Sequence, residues 1–133
     1  MIQKIEWSKK FLTGNREVDL QHQYFVELIN RIIWEILEQK DDIYHSLLME
    51  ELVMYADFHF KSEENILYKL GYCNLEKHKK LHRDLIDELS ARIINVKTMS
   101  NTTIKLIDFL VQWFVNHTIT VDIISFESFN KGK

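Results

Sequence analysis

The sequence contains no proline and only three glycines among its 133 residues. Because these two residues interrupt helices most strongly, almost nothing in the chain prevents long helices from forming. There is a single cysteine, Cys73. One cysteine excludes an intramolecular disulfide, and with it the class of small secreted proteins that disulfides hold together.

Two further absences concern partners and location. The net charge is −3, without the basic excess that is typical of nucleic-acid-binding proteins. No apolar run reaches the roughly 18 residues of a membrane helix, and the charged N-terminus does not look like a signal peptide. The length and the 46% hydrophobic content fit one folded domain. We therefore expect a cytoplasmic single-domain protein, residues 1–133, that binds neither nucleic acid nor membranes.

Hydrophobic spacing predicts four helices, at residues 19–39, 45–70, 75–97 and 102–127. In the first, apolar residues recur at steps of four, three and four, which is the signature of one helix face: Phe25, Ile29, Ile32 and Ile36. Short breaks between long helices favour antiparallel neighbours. The predicted fold is therefore an all-α, up-down-up-down four-helix bundle. Residues 1–18 would form an arm along the bundle, anchored by Trp7 and Phe11.

Histidines and carboxylates interrupt the apolar faces of these helices. The seven groups are His22, His59, Glu63, His78, His82, His117 and Asp122. Burying so many titratable side chains without partners would cost several kcal/mol. With a rise of 1.5 Å per residue and antiparallel helices, all seven fall within one band roughly 12 Å tall. This convergence predicts a metal site.

The number of ligands indicates more than one ion. Five imidazoles and two carboxylates exceed the four ligands that zinc takes. They suit two transition ions if both carboxylates and one oxygen atom bridge, and one coordination position then stays open. Imidazole together with carboxylate favours iron, although ligand type alone also allows manganese or zinc.

One spacing does not fit a regular helix. His117 and Asp122 are five residues apart, which is about 140° around an α-helix. Both can face the same site only if the fourth helix is locally wider. We therefore predict a π-bulge near residues 118–121, a feature that is frequent at functional sites.

The combined pattern resembles the hemerythrin family, and within it the single-domain bacteriohemerythrins. The motifs, in chain order, are His22, His59-x-x-x-Glu63, His78-x-x-x-His82 and His117-x-x-x-x-Asp122. The resemblance covers nearly the whole chain, from Ile5-Glu6-Trp7 to the residues around His117. Each motif alone is weak, and their combination is specific.

This resemblance implies a non-heme di-iron centre with an oxo or hydroxo bridge. By analogy, one iron takes His78, His82 and His117, the other takes His22 and His59, and Glu63 and Asp122 bridge the two. Dioxygen would bind end-on at the second, five-coordinate iron as hydroperoxide, and other small diatomic or anionic ligands would use the same position. The implied activity is reversible oxygen binding for storage, delivery or sensing rather than enzymatic turnover.

Two other functions remain open at this point. One is a di-iron enzyme, such as a peroxidase, an oxidase or a nitric oxide reductase. The other is iron handling or structural stabilisation by zinc. The Glu-x-x-His pairs of ferritin-like di-iron sites do not occur in this chain. By the resemblance, four aromatic side chains would keep water from the bound ligand: Phe25, Phe60, Trp113 and Phe114. Thr118 belongs to the same ligand pocket.

Thr118 departs from the isoleucine usual after the last histidine ligand in this family. Its hydroxyl can admit water or bond a ligand, so we expect Thr118→Ile to autoxidise more slowly than the wild type. The measurement is the decay of the oxygenated absorption spectrum in air. Equal or faster decay in Thr118→Ile would show that the hydroxyl does not promote autoxidation.

Overall fold

The structure of the protein is a computed structural model that describes residues 4–39, 41–98 and 103–130. Its elements are α1 (Arg16–Glu38), α2 (Asp42–Leu70), α3 (Leu75–Thr98), α4 (Thr103–Val115), a π-helical segment (Asn116–Asp122) and α5 (Ile123–Asn130). The last three are continuous and together form the fourth helix. Packing runs from α1 to α2, α3, α4 and back to α1. The predicted all-α four-helix bundle is confirmed.

Two helices begin earlier than hydrophobic spacing predicts, because a side chain caps the first turn of each. The carboxamide of Asn15 accepts a hydrogen bond from the Val18 amide at 3.1 Å, so α1 begins three residues before the predicted start. Asp41 does the same for Tyr44 at 3.0 Å at the start of α2. Such caps satisfy amides that have no partner within the helix. No helix in the described ranges is long and apolar enough to cross a membrane.

The N-terminal arm lies against the bundle through three side chains. Phe11 is buried and meets Phe114 edge-on, with the ring centroids 6.1 Å apart. Trp7 packs beside Phe11 at 5.4 Å. Ile5 is also buried, and its backbone is held by the Asn30 carboxamide through two hydrogen bonds of 2.8 Å. The arm is thus tied to α1 as well as packed on the core.

Asn30→Ala should loosen this arm. The substitution removes both hydrogen bonds to Ile5, each worth about 1 kcal/mol net, so we expect the free energy of unfolding to fall by about 1–2 kcal/mol. Urea denaturation measures the loss, and limited proteolysis should cut the arm faster. Asn30→Asp keeps the side-chain oxygen that accepts from the Ile5 amide, so its free energy of unfolding should fall by less. Gln23→Ala, on the exposed side of α1, is the control, and an Asn30→Ala stability equal to that control contradicts the prediction.

Two apolar clusters enclose a polar layer in the bundle. The larger contains Phe25, Phe60 and Phe114 next to that layer and extends to the far end of the bundle. The smaller consists of Val18, Leu67 and Phe126, near the opposite end. Along the helices these histidines and carboxylates fall between the two clusters in sequence, except that His59 directly precedes Phe60 of the larger cluster. The fold therefore places them in a dry layer with apolar packing on both sides.

Candidate metal centre

Each of the four helices contributes side chains to this polar layer. All seven predicted residues are buried, and the most exposed of them, His117, is only 7% exposed. They come from α1 (His22), α2 (His59 and Glu63), α3 (His78 and His82) and the π-helical segment (His117 and Asp122). Residues four apart face the same side of an α-helix, which explains the pairs on α2 and α3. The structure brings all seven together.

The π-helical segment carries the pair with the unusual spacing. It spans Asn116–Asp122 and so includes both His117 and Asp122. In a π-helix the backbone bonds join residues five apart, and such residues therefore stack on one side. His117 Nε2 and Asp122 Oδ1 lie 2.9 Å apart as a result. The predicted π-bulge is confirmed, and it is longer than the predicted residues 118–121.

The Glu63 carboxylate lies between two sets of histidines. Its Oε1 is 2.6 Å from His78 Nε2 and 3.3 Å from His82 Nε2. Its Oε2 is 3.3 Å from His59 Nε2 and 3.5 Å from His22 Nε2. One oxygen therefore faces the α3 histidines and the other faces the histidines of α1 and α2.

Asp122 divides its oxygens in the same way. Oδ1 lies near His117 Nε2 and 3.4 Å from His78 Nε2, while Oδ2 is 3.1 Å from His22 Nε2. The ligand atoms form two groups, each within 4.8 Å, and both groups contain Glu63 and Asp122. The first adds His78, His82 and His117, and the second adds His22 and His59. Two carboxylates thus join two neighbouring sets of imidazoles.

Several of these atoms are close without forming hydrogen bonds. Both oxygens of Asp122, Oε2 of Glu63 and the Nε2 atoms of His22 and His59 are buried without a hydrogen-bond partner. Buried polar atoms of this kind are rare in folded proteins and require an explanation. Their lone pairs converge on shared points, as the ligands of cations do. The donor set fits a pair of transition-metal ions.

The charge balance of the layer also favours cations. Burial alone would lower the pKa of His22, but the nearby carboxylates of Asp122 and Glu63 outweigh burial and raise it to about 9. The same two carboxylates raise the pKa of His78 to about 10 against burial. Burial would raise the pKa of Glu63, yet the four histidines around it hold that pKa well below its usual range. Burial and the charge of Glu63 would raise the pKa of Asp122, yet His117 and His22 hold it below its usual range, so both carboxylates remain ionised. The layer thus attracts positive charge, which protons or metal cations can supply.

Three residues that hydrophobic spacing did not predict orient the imidazole rings. His59 Nδ1 donates to Gln21 Oε1 at 2.7 Å, and His82 Nδ1 donates to the Glu64 carboxylate at 2.7 Å. His78 Nδ1 lies 3.3 Å from the Ser125 hydroxyl, which itself donates to a backbone carbonyl. A proton on Nδ1 leaves the Nε2 lone pair free to face the centre of the site. The only sequence signal is that Gln21 and Glu64 directly adjoin His22 and Glu63.

A small cavity of about 10 Å³ lies beside the site. It is lined by His22, His59, His117 and four aromatic residues, Phe25, Phe60, Trp113 and Phe114. The structure therefore places all four aromatic residues that were predicted for the ligand pocket around this cavity. The volume suffices for about one water-sized molecule. Thr118 belongs to the π-helical segment, but its side chain lies outside the described part of the structure.

Comparison with known proteins agrees with this geometry. The model of the hemerythrin HHE cation-binding domain matches residues 13–119, and the match ends just before Asp122. A bacteriohemerythrin from Clostridium acetobutylicum is 30% identical, over 87% of this chain and 94% of the relative. A bacteriohemerythrin from Pseudomonas paraeruginosa is 30% identical, over 84% of this chain and 72% of the relative. A hemerythrin-like protein from Naegleria gruberi is 27% identical over 84% and 82%.

Proposed function

The chain belongs to the hemerythrin family, and on that premise we propose that it binds dioxygen reversibly at two iron ions. His78, His82 and His117 would hold one ion, and His22 and His59 the other. Glu63 and Asp122 would bridge them. The iron pair supplies the electrons that make oxygen binding possible. The protein supplies the ligands, their orientation and a dry cavity.

The division of oxygen atoms within each carboxylate carries this proposal. Glu63 and Asp122 each direct one oxygen to the three-histidine group and the other to His22, with Glu63 also facing His59. A single ion would need only one such group. Two ions use both oxygens of both carboxylates. The three-histidine group has one more imidazole than its neighbour, so an ion held by His22 and His59 would be the one with room for a ligand.

The cavity limits which ligands can reach that ion. Its volume of about 10 Å³ holds about one water-sized molecule, so we expect only ligands of a few atoms to enter and organic substrates to be excluded. Phe60 stacks on the His82 ring at 4.0 Å, and Phe114 meets His22 edge-on at 5.9 Å. These rings cover the imidazoles and would limit the access of water, and so of proton donors, to a bound ligand. Such surroundings favour release of oxygen over its further reduction.

The test is an anaerobic optical titration of the reduced, iron-loaded protein with dioxygen, followed by argon sparging. We expect a near-ultraviolet and visible charge-transfer band that appears with oxygen and fades on sparging. Metal analysis should give two irons per chain. The zinc-loaded protein is the control, because zinc is redox-silent and should give no band. An irreversible change to a ferric spectrum with consumption of oxygen would indicate an oxidase or peroxidase instead.

A further inference from the structure

The outward side of the α1–α2 pair is unusually apolar. Of the fourteen exposed large apolar side chains in the described residues, eleven lie on α1 or α2. Six of them follow helical spacing along the side facing away from the bundle: Leu20, Tyr24, Trp34, Leu47, Met54 and Phe58. Arg31 and Glu51 lie on the same side, and so does the exposed Glu27, which follows the same spacing between Tyr24 and Arg31. We refer to the six apolar residues together with Arg31 and Glu51 as the outer α1–α2 face.

Contacts between the helices fix which residues of this face lie side by side. Arg31 Nη1 and Glu51 Oε2 are 4.0 Å apart, with both side chains almost half exposed. Toward one end, the ring of Tyr55 lies 5.0 Å from Tyr24 and 6.1 Å from Phe58. Tyr24 and Phe58 therefore lie at one level, and the ion pair lies at another.

The other end of the face is fixed by a hydrogen bond between the helices. His45 Nε2 donates to the Glu35 carbonyl at 2.9 Å. Trp34 precedes Glu35, and Leu47 follows His45 by two residues, so Trp34 and Leu47 lie at the same level. The outer α1–α2 face thus has apolar pairs at both ends and opposite charges between them.

We propose that the outer α1–α2 face binds the same face of a second copy of the chain, with the two-fold axis parallel to the helices. This axis places α1 of one protomer over α2 of its partner and keeps every residue at its own level. Arg31 of each protomer then meets a Glu51 carboxylate across the interface. Trp34 packs against the partner's Leu47, and Tyr24 packs against the partner's Phe58. The face is therefore complementary to itself, as a two-fold interface requires.

The available area suits such a dimer. The six apolar side chains are 39–73% exposed, and with side chains of roughly 150–250 Å² they present roughly 600 Å² on each protomer. This value is at the upper limit for a monomer. Two faces would bury roughly 1,200 Å², the lower limit for a stable interface. Tyrosine, tryptophan, phenylalanine, methionine and arginine are the residues enriched at interfaces.

Sedimentation velocity of the iron-loaded 133-residue chain, over a range of concentrations, tests this proposal. We expect a reversible monomer–dimer equilibrium that Met54→Glu and Phe58→Glu each weaken by at least about tenfold. Ile94→Glu is the matched control, because Ile94 is 61% exposed but lies on α3, away from the outer α1–α2 face. Circular dichroism verifies folding. A wild type that stays monomeric at high concentration overturns the proposal, as does a dimer that neither variant weakens.

A charge exchange tests the arrangement itself. Arg31→Glu gives a protomer with two acidic groups at the centre of the face, and Glu51→Arg gives one with two basic groups. Each variant alone should dimerise at least about tenfold more weakly than the wild type. In the proposed arrangement, an equimolar mixture pairs every acid with a base and should form heterodimers. A mixture that remains as weak as its separate components excludes this arrangement.

Discussion

Replacement of Glu63 by alanine is expected to abolish binding of both metal ions. Glu63 is fully buried and contacts histidines from three helices, and both groups of ligand atoms contain it. Loss of its two oxygens therefore removes a ligand from each proposed ion at once. It also leaves Asp122 as the one negatively charged ligand among five imidazoles, so the positive charge of two ions would be less well neutralised. We expect affinity to fall by at least about a hundredfold, which exceeds the usual effect of a residue that only supports a ligand. Metal analysis after reconstitution should fall from two ions per chain to fewer than one.

Two further variants make this result specific. Glu63→Gln keeps the size of the side chain and loses its charge, so it should show the same loss even if alanine disturbs the packing. Glu64→Ala removes the neighbouring carboxylate, which bonds only the outer nitrogen of His82. It should still take up two ions at saturating iron. Two ions bound to Glu63→Ala with wild-type affinity would mean that Glu63 does not bridge.

The band of buried ligands could be predicted because it depends on local rules alone. Helical spacing assigns His59 and Glu63, or His78 and His82, to one face of a helix. The rise per residue then gives the height of each side chain in an antiparallel bundle. The π-helical segment followed in the same way from the five-residue spacing of His117 and Asp122. These steps require only that consecutive helices run antiparallel, and not how each helix is rotated against its neighbours.

The supporting hydrogen bonds required information that the spacing lacks. Gln21 and His59 are 38 residues apart, and their contact depends on how α1 and α2 are rotated against each other. The bond between Asn30 and Ile5 likewise depends on the path of the arm. Hydrophobic spacing shows which side of a helix is buried. It does not show which residues of the adjacent helices that side contacts.

Removal of the metal ions is expected to lower the midpoint of thermal unfolding by about 10 °C or more. Nine side-chain atoms in the described structure are buried without a hydrogen bond, and seven belong to five of the proposed ligands. Metal coordination would satisfy most of these seven atoms in the folded state only. At a free metal concentration about a thousandfold above the dissociation constant, binding contributes about 4 kcal/mol. For a chain of this length, that corresponds to a shift of about 10–20 °C.

Differential scanning calorimetry of the iron-loaded protein and of the same sample after chelation measures this shift. The Glu63→Ala variant is the matched control, because a protein that has lost both ions cannot gain stability from them. Its unfolding temperature should be the same with and without metal. Equal unfolding temperatures for loaded and chelated wild type would contradict the prediction. The buried carboxylates and imidazoles would then be satisfied by one another, and the fold would not depend on the cations that the site is proposed to hold.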